Sequence, residues 1–355
     1  MLTGCGNRSP VKIGLIADFS GRGSHLGPQA RNAMVMAIDE LNSRNGINGR
    51  EVELIYRDHK NDSEICQREV REMIDAGAVV IFGPMVSGMA LAVIEAAAPT
   101  GTLVIGSTVS TDILTGLDDN FIRGVAPASF QGKYLSRVIR ERELRQIIFV
   151  MDSRNKEYSD GVVSGFVKDD LLNEGRIAGK MYFDEKDDIP LLVQNIRRMM
   201  PDGLIFLASG IDSSAIIQLY ARDYPLPDLF GGSWPKVTEI EKYAGKLIDG
   251  MIFFDTPKNN IPLERERKFY DKYGNLFNAI PNIAAIHTYE SVNFYARAVE
   301  ESGSFDSNKV KAAIISMDEI EGVYDTFSID RFGDGKRSMG AYILKDGSYE
   351  LYPFR

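Results

Sequence analysis

From Val11 onward the spacing of apolar residues switches repeatedly between two periods. Short apolar runs alternate with longer stretches in which apolar side chains recur every three or four positions. Val11 to Ile16 is a run ending near Asp18, and Ala30, Met34, Ile38 and Leu41 then recur at helical spacing up to the Asn45-Gly46-Ile47-Asn48-Gly49 turn. The pattern predicts strands at Glu51 to Tyr56, Ala78 to Phe82 and Leu103 to Ile105, with helices at Ser63 to Ala76 and Ser87 to Ala97. A second series follows. Its strands are Gln146 to Met151, Met181 to Phe183, Gly203 to Leu207, Leu229 to Gly231 and Gly250 to Phe254, separated by helices near Ser159 to Glu174, Asp188 to Met199 and Ser213 to Asp223. Such alternation predicts an α/β fold with parallel central sheets covered on both faces. Two helices, Ala284 to Glu301 and Ser307 to Met317, come late with no strand array of their own and are expected to return to the first lobe. Tyr324 to Ile329 and Ala341 to Leu344, around Gly333-Asp334-Gly335, read as a hairpin finishing the second sheet.

A length of 355 residues fits two domains of ordinary size. The net charge of -9 and the lack of a Lys/Arg block argue against a nucleic-acid footprint. The longest apolar stretches, such as Ala90 to Pro99, fall far short of the ~20 residues that span a bilayer. Of the two cysteines, Cys66 sits on a predicted helix and reads as a packed small hydrophobe. Cys5 follows Leu2, Thr3 and Gly4, an order that resembles the bacterial lipobox, so Cys5 is a candidate lipid anchor. The alternative is an N-terminal tail with an incidental cysteine.

In open α/β sheets the ligand site lies beyond the carboxyl ends of the strands. Two loops there are small and hydroxyl-rich: Gly83-Pro84-Met85-Val86-Ser87-Gly88 and Gly106-Ser107-Thr108-Val109-Ser110-Thr111-Asp112. Backbone N–H groups and hydroxyls converging in this way suit a carboxylate, although Ser87 and Ser110 taken singly are also ordinary helix caps. The loop Gly21 to Gly27 is a near-match to a dinucleotide fingerprint, but its third glycine is one residue late, with Leu26 in the required place. No P-loop and no Gly-x-Ser-x-Gly elbow occur, and His25, His59 and His287 lack metal-ligand spacing. A binding protein is therefore expected, not an enzyme, with no cofactor and no metal. In the second half the corresponding strand ends carry Asp152 to Tyr158, Ala208 to Asp212 and Gly232 to Lys236, the last with the sole tryptophan, Trp234. Trp234 reads equally as a pocket wall or a loop anchor.

Several segments together resemble the type I periplasmic binding proteins, in particular the leucine/isoleucine/valine-binding branch. They are Ile13-Gly14-Leu15 leading to Ser20-Gly21 and Gly27, Ala37 to Asn42, Gly46 to Arg50, Ile81-Phe82-Gly83-Pro84, Ile122-Arg123, Tyr158-Ser159-Asp160-Gly161 and Thr288 to Val292. The resemblance implies two Rossmann-like lobes joined by three hinge strands near Arg123 to Val125, Phe254 to Pro257 and Tyr324 to Phe327. It divides the chain into a tail (1–10), lobe 1 (11–123 plus 257–325) and lobe 2 (124–256 plus 326–355).

By that resemblance Ser87, Val109 and Ser110, with Thr111 beside them, hold a ligand carboxylate, and Tyr158 and Tyr289 are cleft aromatics. Ser209, Asp212, Trp234, Asp18 and His25 complete the expected ligand-binding set. The family acid that pairs with a ligand ammonium falls at about Ser233 or Trp234, neither of which carries that charge. Asp212 or Asp18 substitutes for it, or the ligand is an aromatic or keto acid without an amino group. Lys60 and Val86 stand where some relatives have a disulfide. The implied role is the solute-binding component of an ABC importer, with a small carboxylate and permease subunits as partners, at the periplasmic or extracellular face. The membrane is reached only through the lipid anchor, and a monomer is expected. A ligand-sensing receptor domain is the alternative.

Overall fold

The computed structural model describes residues 9–20, 24–256 and 262–354. Cys5, Gly21 to Gly23 and Pro257 lie outside the described residues. The chain forms two compact units: Met1–Val109, Gly116–Val125 and Lys268–Lys336 make unit 1, and Ser110–Thr115, Ala126–Arg267 and Arg337–Arg355 make unit 2.

Unit 1 opens with β1 (Val11–Ala17), α1 (Leu26–Ser43), β2 (Val52–Asp58), α2 (Ser63–Asp75), β3 (Ala78–Phe82), α3 (Ala90–Ala97), β4 (Leu103–Ile105) and β5 (Phe121–Ile122). The strands form a parallel sheet in the order β2-β1-β3-β4-β5. β3 and β4 are apolar almost throughout because both of their faces are covered, whereas edge strand β2 mixes buried and exposed positions. Asp62 starts α2 by accepting the Glu64 and Ile65 backbone N–H groups, which explains why a helix begins at Ser63.

Unit 2 contains α4 (Ser129–Glu141), β6 (Ile147–Asp152), α5 (Lys156–Asp169), β7 (Ile177–Phe183), α6 (Ile189–Arg198), β8 (Gly203–Leu207), α7 (Gly210–Ala221), β9 (Asp228–Gly231), α8 (Thr238–Ala244) and β10 (Ile252–Asp255). β6 and β8 are completely buried, and the core around them gathers Val150, Phe206, Ile216, Ile240 and Phe253. α4 and α8 have no counterpart among the predicted helices, nor has the next helix, α9 (Glu264–Phe277).

From Lys268 the chain belongs to unit 1 again and adds α10 (Ile283–Ser302), α11 (Ser307–Ile315) and the short strands β11 (Ile320–Glu321), β12 (Thr326–Ile329) and β13 (Gly335–Lys336). α10 packs beside α1, closing a cluster of Ala33, Met36, Phe269, Tyr273, Ala285 and Ile286. The closing strands differ from expectation. β12 pairs with β11 and β13 in a separate antiparallel sheet, while β14 (Gly340–Lys345) pairs with β10 and with β15 (Ser348–Leu351) in unit 2. The turn around Asp330 to Asp334 therefore joins β12 to β13, and the hairpin partner of β14 is β15, whose polar, exposed sequence carries little strand signal.

Candidate ligand site

In unit 1 the loops after β3 and β4 leave neighbouring strands in register, with Phe82 opposite Ile105, so they emerge side by side. Gly83 makes the first loop possible: its φ is 112°, and a side chain there would lie 2.1 Å from the Ile16 carbonyl oxygen. Thr108 ties the loops together by donating its hydroxyl to the Met85 carbonyl at 2.7 Å. Ser87 is buried and is the first residue of a short turn (Ser87–Met89) whose preceding residue, Val86, provides no side-chain cap. Ser107 is fully buried, and its hydroxyl has no hydrogen-bond partner among the described residues.

Val109 is the last residue of this stretch in unit 1, with its side chain fully buried. Ser110 and Thr111 belong to unit 2, where the Ser110 carbonyl accepts the Ala128 N–H and the Thr111 hydroxyl accepts the Ile113 N–H. α10 reaches the first loop through Thr288, whose hydroxyl lies 3.8 Å from Met85 Sδ. Its neighbour Tyr289 instead donates to Glu40 Oε2 on α1 at 2.7 Å and packs against Phe269. Burial, reinforced by that carboxylate, holds the Tyr289 phenol protonated far above its ordinary range. At the other end of α1, the His25 carbonyl accepts the Asn282 side-chain amide, and the Asp18 carbonyl lies against Gly27.

Unit 2 gathers a second set at the carboxyl ends of β6, β8, β9 and β10. Tyr158 is buried and donates its hydroxyl to Gln131 Oε1 at 2.8 Å. Gln131 Oε1 also accepts the Ser233 N–H, and its amide nitrogen donates to Ser233 Oγ. The Tyr158 ring meets Trp234 edge to face at 6.1 Å. Arg154 chelates both oxygens of buried Asp152 and also reaches Asp212 Oδ2 at 3.3 Å. Its hydrogen bond to Asp152 raises the guanidinium pKa further, so its charge is permanent. Ser209 caps α7, accepting the Asp212 N–H and donating to Asp212 Oδ2. Lys236 pairs with Asp255 at 2.9 Å, with both side chains nearly buried.

The family profile described as "Periplasmic binding protein" matches residues 10–347. This chain belongs to the periplasmic binding proteins. Members of this family bind solutes and are not enzymes. Across 96% of the chain and 93% of its own length, the Leu/Ile/Val-binding protein homolog 2 of Brucella abortus is 22% identical. Among solved structures, the LivJ branched-chain amino acid transporter substrate-binding protein of Streptococcus pneumoniae, in complex with isoleucine, aligns with a TM-score of 0.85 at 20% identity, over 97% of this chain and 99% of that one. A solute-binding protein of an ABC transporter from R. palustris, in complex with benzoate, aligns at 0.83 and 17% identity, over 96% and 95%. At such identities these structures speak to the fold, which is that of type I periplasmic binding proteins. No described helix is long and apolar enough to cross a membrane.

For a periplasmic binding protein, the expected residues thus fall into separate neighbourhoods. Ser87 and Val109 belong to the joined loops of unit 1, while Tyr158, Ser209, Asp212 and Trp234 share one end of the unit 2 sheet. Gln131, Arg154, Ser107 and Thr288 stand outside the expected set, although the hydroxyl-rich loop contains Ser107 and the Thr288 to Val292 segment begins with Thr288. Gln131 and Thr288 lie on helices, where nothing in the sequence separates an inward polar residue from a solvated one. Arg154 and Ser107 lie in the strand-end loops Asp152 to Tyr158 and Gly106 to Asp112, where chain position does not reveal a side chain's partners.

Proposed function

We propose that this periplasmic binding protein is the solute-binding component of an ABC importer and takes an amino acid or a related small carboxylate. The observation that carries the reading is the pair of tied loops after β3 and β4, with buried Ser87 and a Ser107 hydroxyl that has no partner among the described residues. Hydroxyl and backbone donors gathered on one side suit an anionic group, and hydrogen bonds to a charged partner are the stronger kind. The ligands in the names of the aligned relatives, branched-chain amino acids and benzoate, share a carboxylate and an apolar body. In this reading the unit 1 loops hold the carboxylate. Cys5, after Leu2-Thr3-Gly4, tethers the chain to the outer membrane face, and incorporation of labelled fatty acid that is lost in Cys5→Ala tests that point.

Isothermal titration with matched carboxylates and their carboxamides tests the binding reading. Carboxylates are expected to bind and carboxamides not, with Ser87→Ala weakening the carboxylate by about 10- to 100-fold. Equal affinity for acid and amide, or no binding across a panel of aliphatic and aromatic acids, overturns it.

A further inference from the structure

We infer that the pocket around Arg50 in unit 1 holds the phosphate of a phospholipid headgroup, giving the chain a second, non-covalent hold on the membrane beside Cys5. The inference rests on the reading of Cys5 as a lipid anchor and extends it.

The pocket has a volume of about 500 Å³ and is lined by Ser9, Asn48, Arg50, Gly303, Ser304 and Phe305. All six residues belong to unit 1. Ser9 and Arg50 stand just ahead of β1 and β2, which pair in parallel from Val11 and Val52, so the pocket lies at the amino ends of these strands. The loops assigned to the solute leave the carboxyl ends of β3 and β4 in the same parallel sheet. The two sites are therefore at opposite ends of the strands.

Arg50 is held in the pocket wall from three directions. Its Nε donates to the Ser9 carbonyl at 3.0 Å, one terminal nitrogen donates to the Pro10 carbonyl at 3.2 Å, and its guanidinium carbon lies 5.1 Å from the centre of the Phe305 ring. Asn48 fixes the neighbouring turn to α10 by donating its amide to the Val299 carbonyl, and Gly303, with a φ of 62°, ends that helix. Among the described residues no carboxylate pairs with Arg50, and its other terminal nitrogen makes no hydrogen bond. Asp306, next in sequence to the pocket residues, is turned to α11, where it accepts the Lys309 N–H. A half-buried guanidinium met only by carbonyls and an aromatic face keeps its whole charge, and its planar fork suits phosphate or carboxylate oxygens. Phe305 places apolar surface beside that charge, which favours an anion carried on an apolar body over a bare ion.

The tail decides between the sources of such an anion. Cys5 precedes Ser9 by four residues, and even a fully extended chain covers only about 14 Å over that span. An acyl chain on Cys5 thus keeps the pocket within reach of the headgroup layer, where every phospholipid carries a phosphate. The net charge of -9 opposes a general attraction to anionic lipid, so a hold on headgroups requires a local cation of this kind.

The test is an amide-resolved NMR titration of the full chain carrying Cys5→Ala, with three probes: dihexanoyl phosphatidylglycerol below its micelle concentration, inorganic phosphate and hexyl glucoside. The lipid is expected to shift the amides of Asn48, Arg50, Ser304 and Phe305 saturably, at least about tenfold more tightly than inorganic phosphate, while hexyl glucoside leaves them in place. This comparison needs no further variant. Arg50→Gln is expected to weaken the lipid by at least about tenfold. Inorganic phosphate binding as tightly as the lipid would make the pocket a site for a free anion and overturns the inference. So do equal shifts from hexyl glucoside, lipid shifts unchanged in Arg50→Gln, or no response to any probe. Fatty-acid labelling reports on the anchor separately: label on Cys5 with a silent pocket overturns this inference alone, whereas an unlabelled Cys5 overturns the reading on which it rests.

Discussion

The Tyr158 hydroxyl donates to Gln131 Oε1 at 2.8 Å, and the same oxygen accepts the Ser233 N–H at 3.0 Å. One buried amide oxygen thereby fixes α5 and the loop after β9 to α4. It also commits the Tyr158 hydroxyl internally, so this residue offers its ring, not its O–H, to a neighbour.

Gln131→Ala should therefore destabilise unit 2 disproportionately. It leaves a buried phenol and a buried amide without an acceptor, at a cost of about 2–4 kcal/mol. Tyr158→Phe, which removes one donor and leaves an acceptor that still serves Ser233, should cost only about 1 kcal/mol. Urea denaturation followed by circular dichroism measures both, and equal effects would show that the shared oxygen is not the organising element.

In unit 1, Arg123 is fully buried and donates to Asp334 Oδ1 from both Nε and a terminal nitrogen, at 2.8 and 2.6 Å, while Asp334 Oδ2 accepts the Gly116 N–H. Asp334→Asn leaves a buried guanidinium without its counter-charge and should cost about 3 kcal/mol. Chemical denaturation reads the loss directly, and a change below about 0.5 kcal/mol would contradict the assigned role.

His59, fully buried after β2, accepts the Asn61 N–H at Nδ1, so its proton resides on Nε2. Burial lowers its pKa from 6.5 to about 4. The unfolded chain thus takes up a proton between those values while the folded chain does not, and stability falls as pH drops from 6.5 towards 4. The loss should reach about 3 kcal/mol, and above 6.5 this contribution is constant. His59→Gln is expected to remove that part of the pH dependence, measured as the difference between two stability profiles. Superimposable slopes would show that His59 titrates alike in both states.

Burial pushes the Cys66 thiol up to about 12, leaving it protonated at neutral pH. Peptide-level mass spectrometry after iodoacetamide treatment should find Cys66 unmodified in the folded protein and modified in urea. Ready alkylation under native conditions would place the thiol on the surface.

Much of the architecture was legible because parallel strands covered on both faces must be apolar throughout: β3, β4 and β8 fall where their uninterrupted runs predict. The elements missed are those whose signal is amphipathic or polar. α9 carries Glu264, Arg265, Glu266, Arg267 and Lys268 in succession, and α4 begins with no cap, since Ala128 precedes it. β15 is a largely exposed strand whose pairing is fixed by β14, not by its own pattern. At the candidate site, loop residues such as Ser87 and Trp234 could be named from chain position alone. The assignment of partners could not: that Arg154 reaches Asp212, or that Tyr289 turns to Glu40, depends on contacts between segments distant in sequence.

The most direct measurement is a crystal structure of the protein grown with a carboxylate shown to bind by calorimetry. The account predicts carboxylate oxygens within about 2.6–3.0 Å of the Ser87 hydroxyl and of backbone N–H groups in the loop that follows β4. A ligand bound with its carboxylate elsewhere, and with Ser87 and Ser107 making no contact to it, would contradict the account.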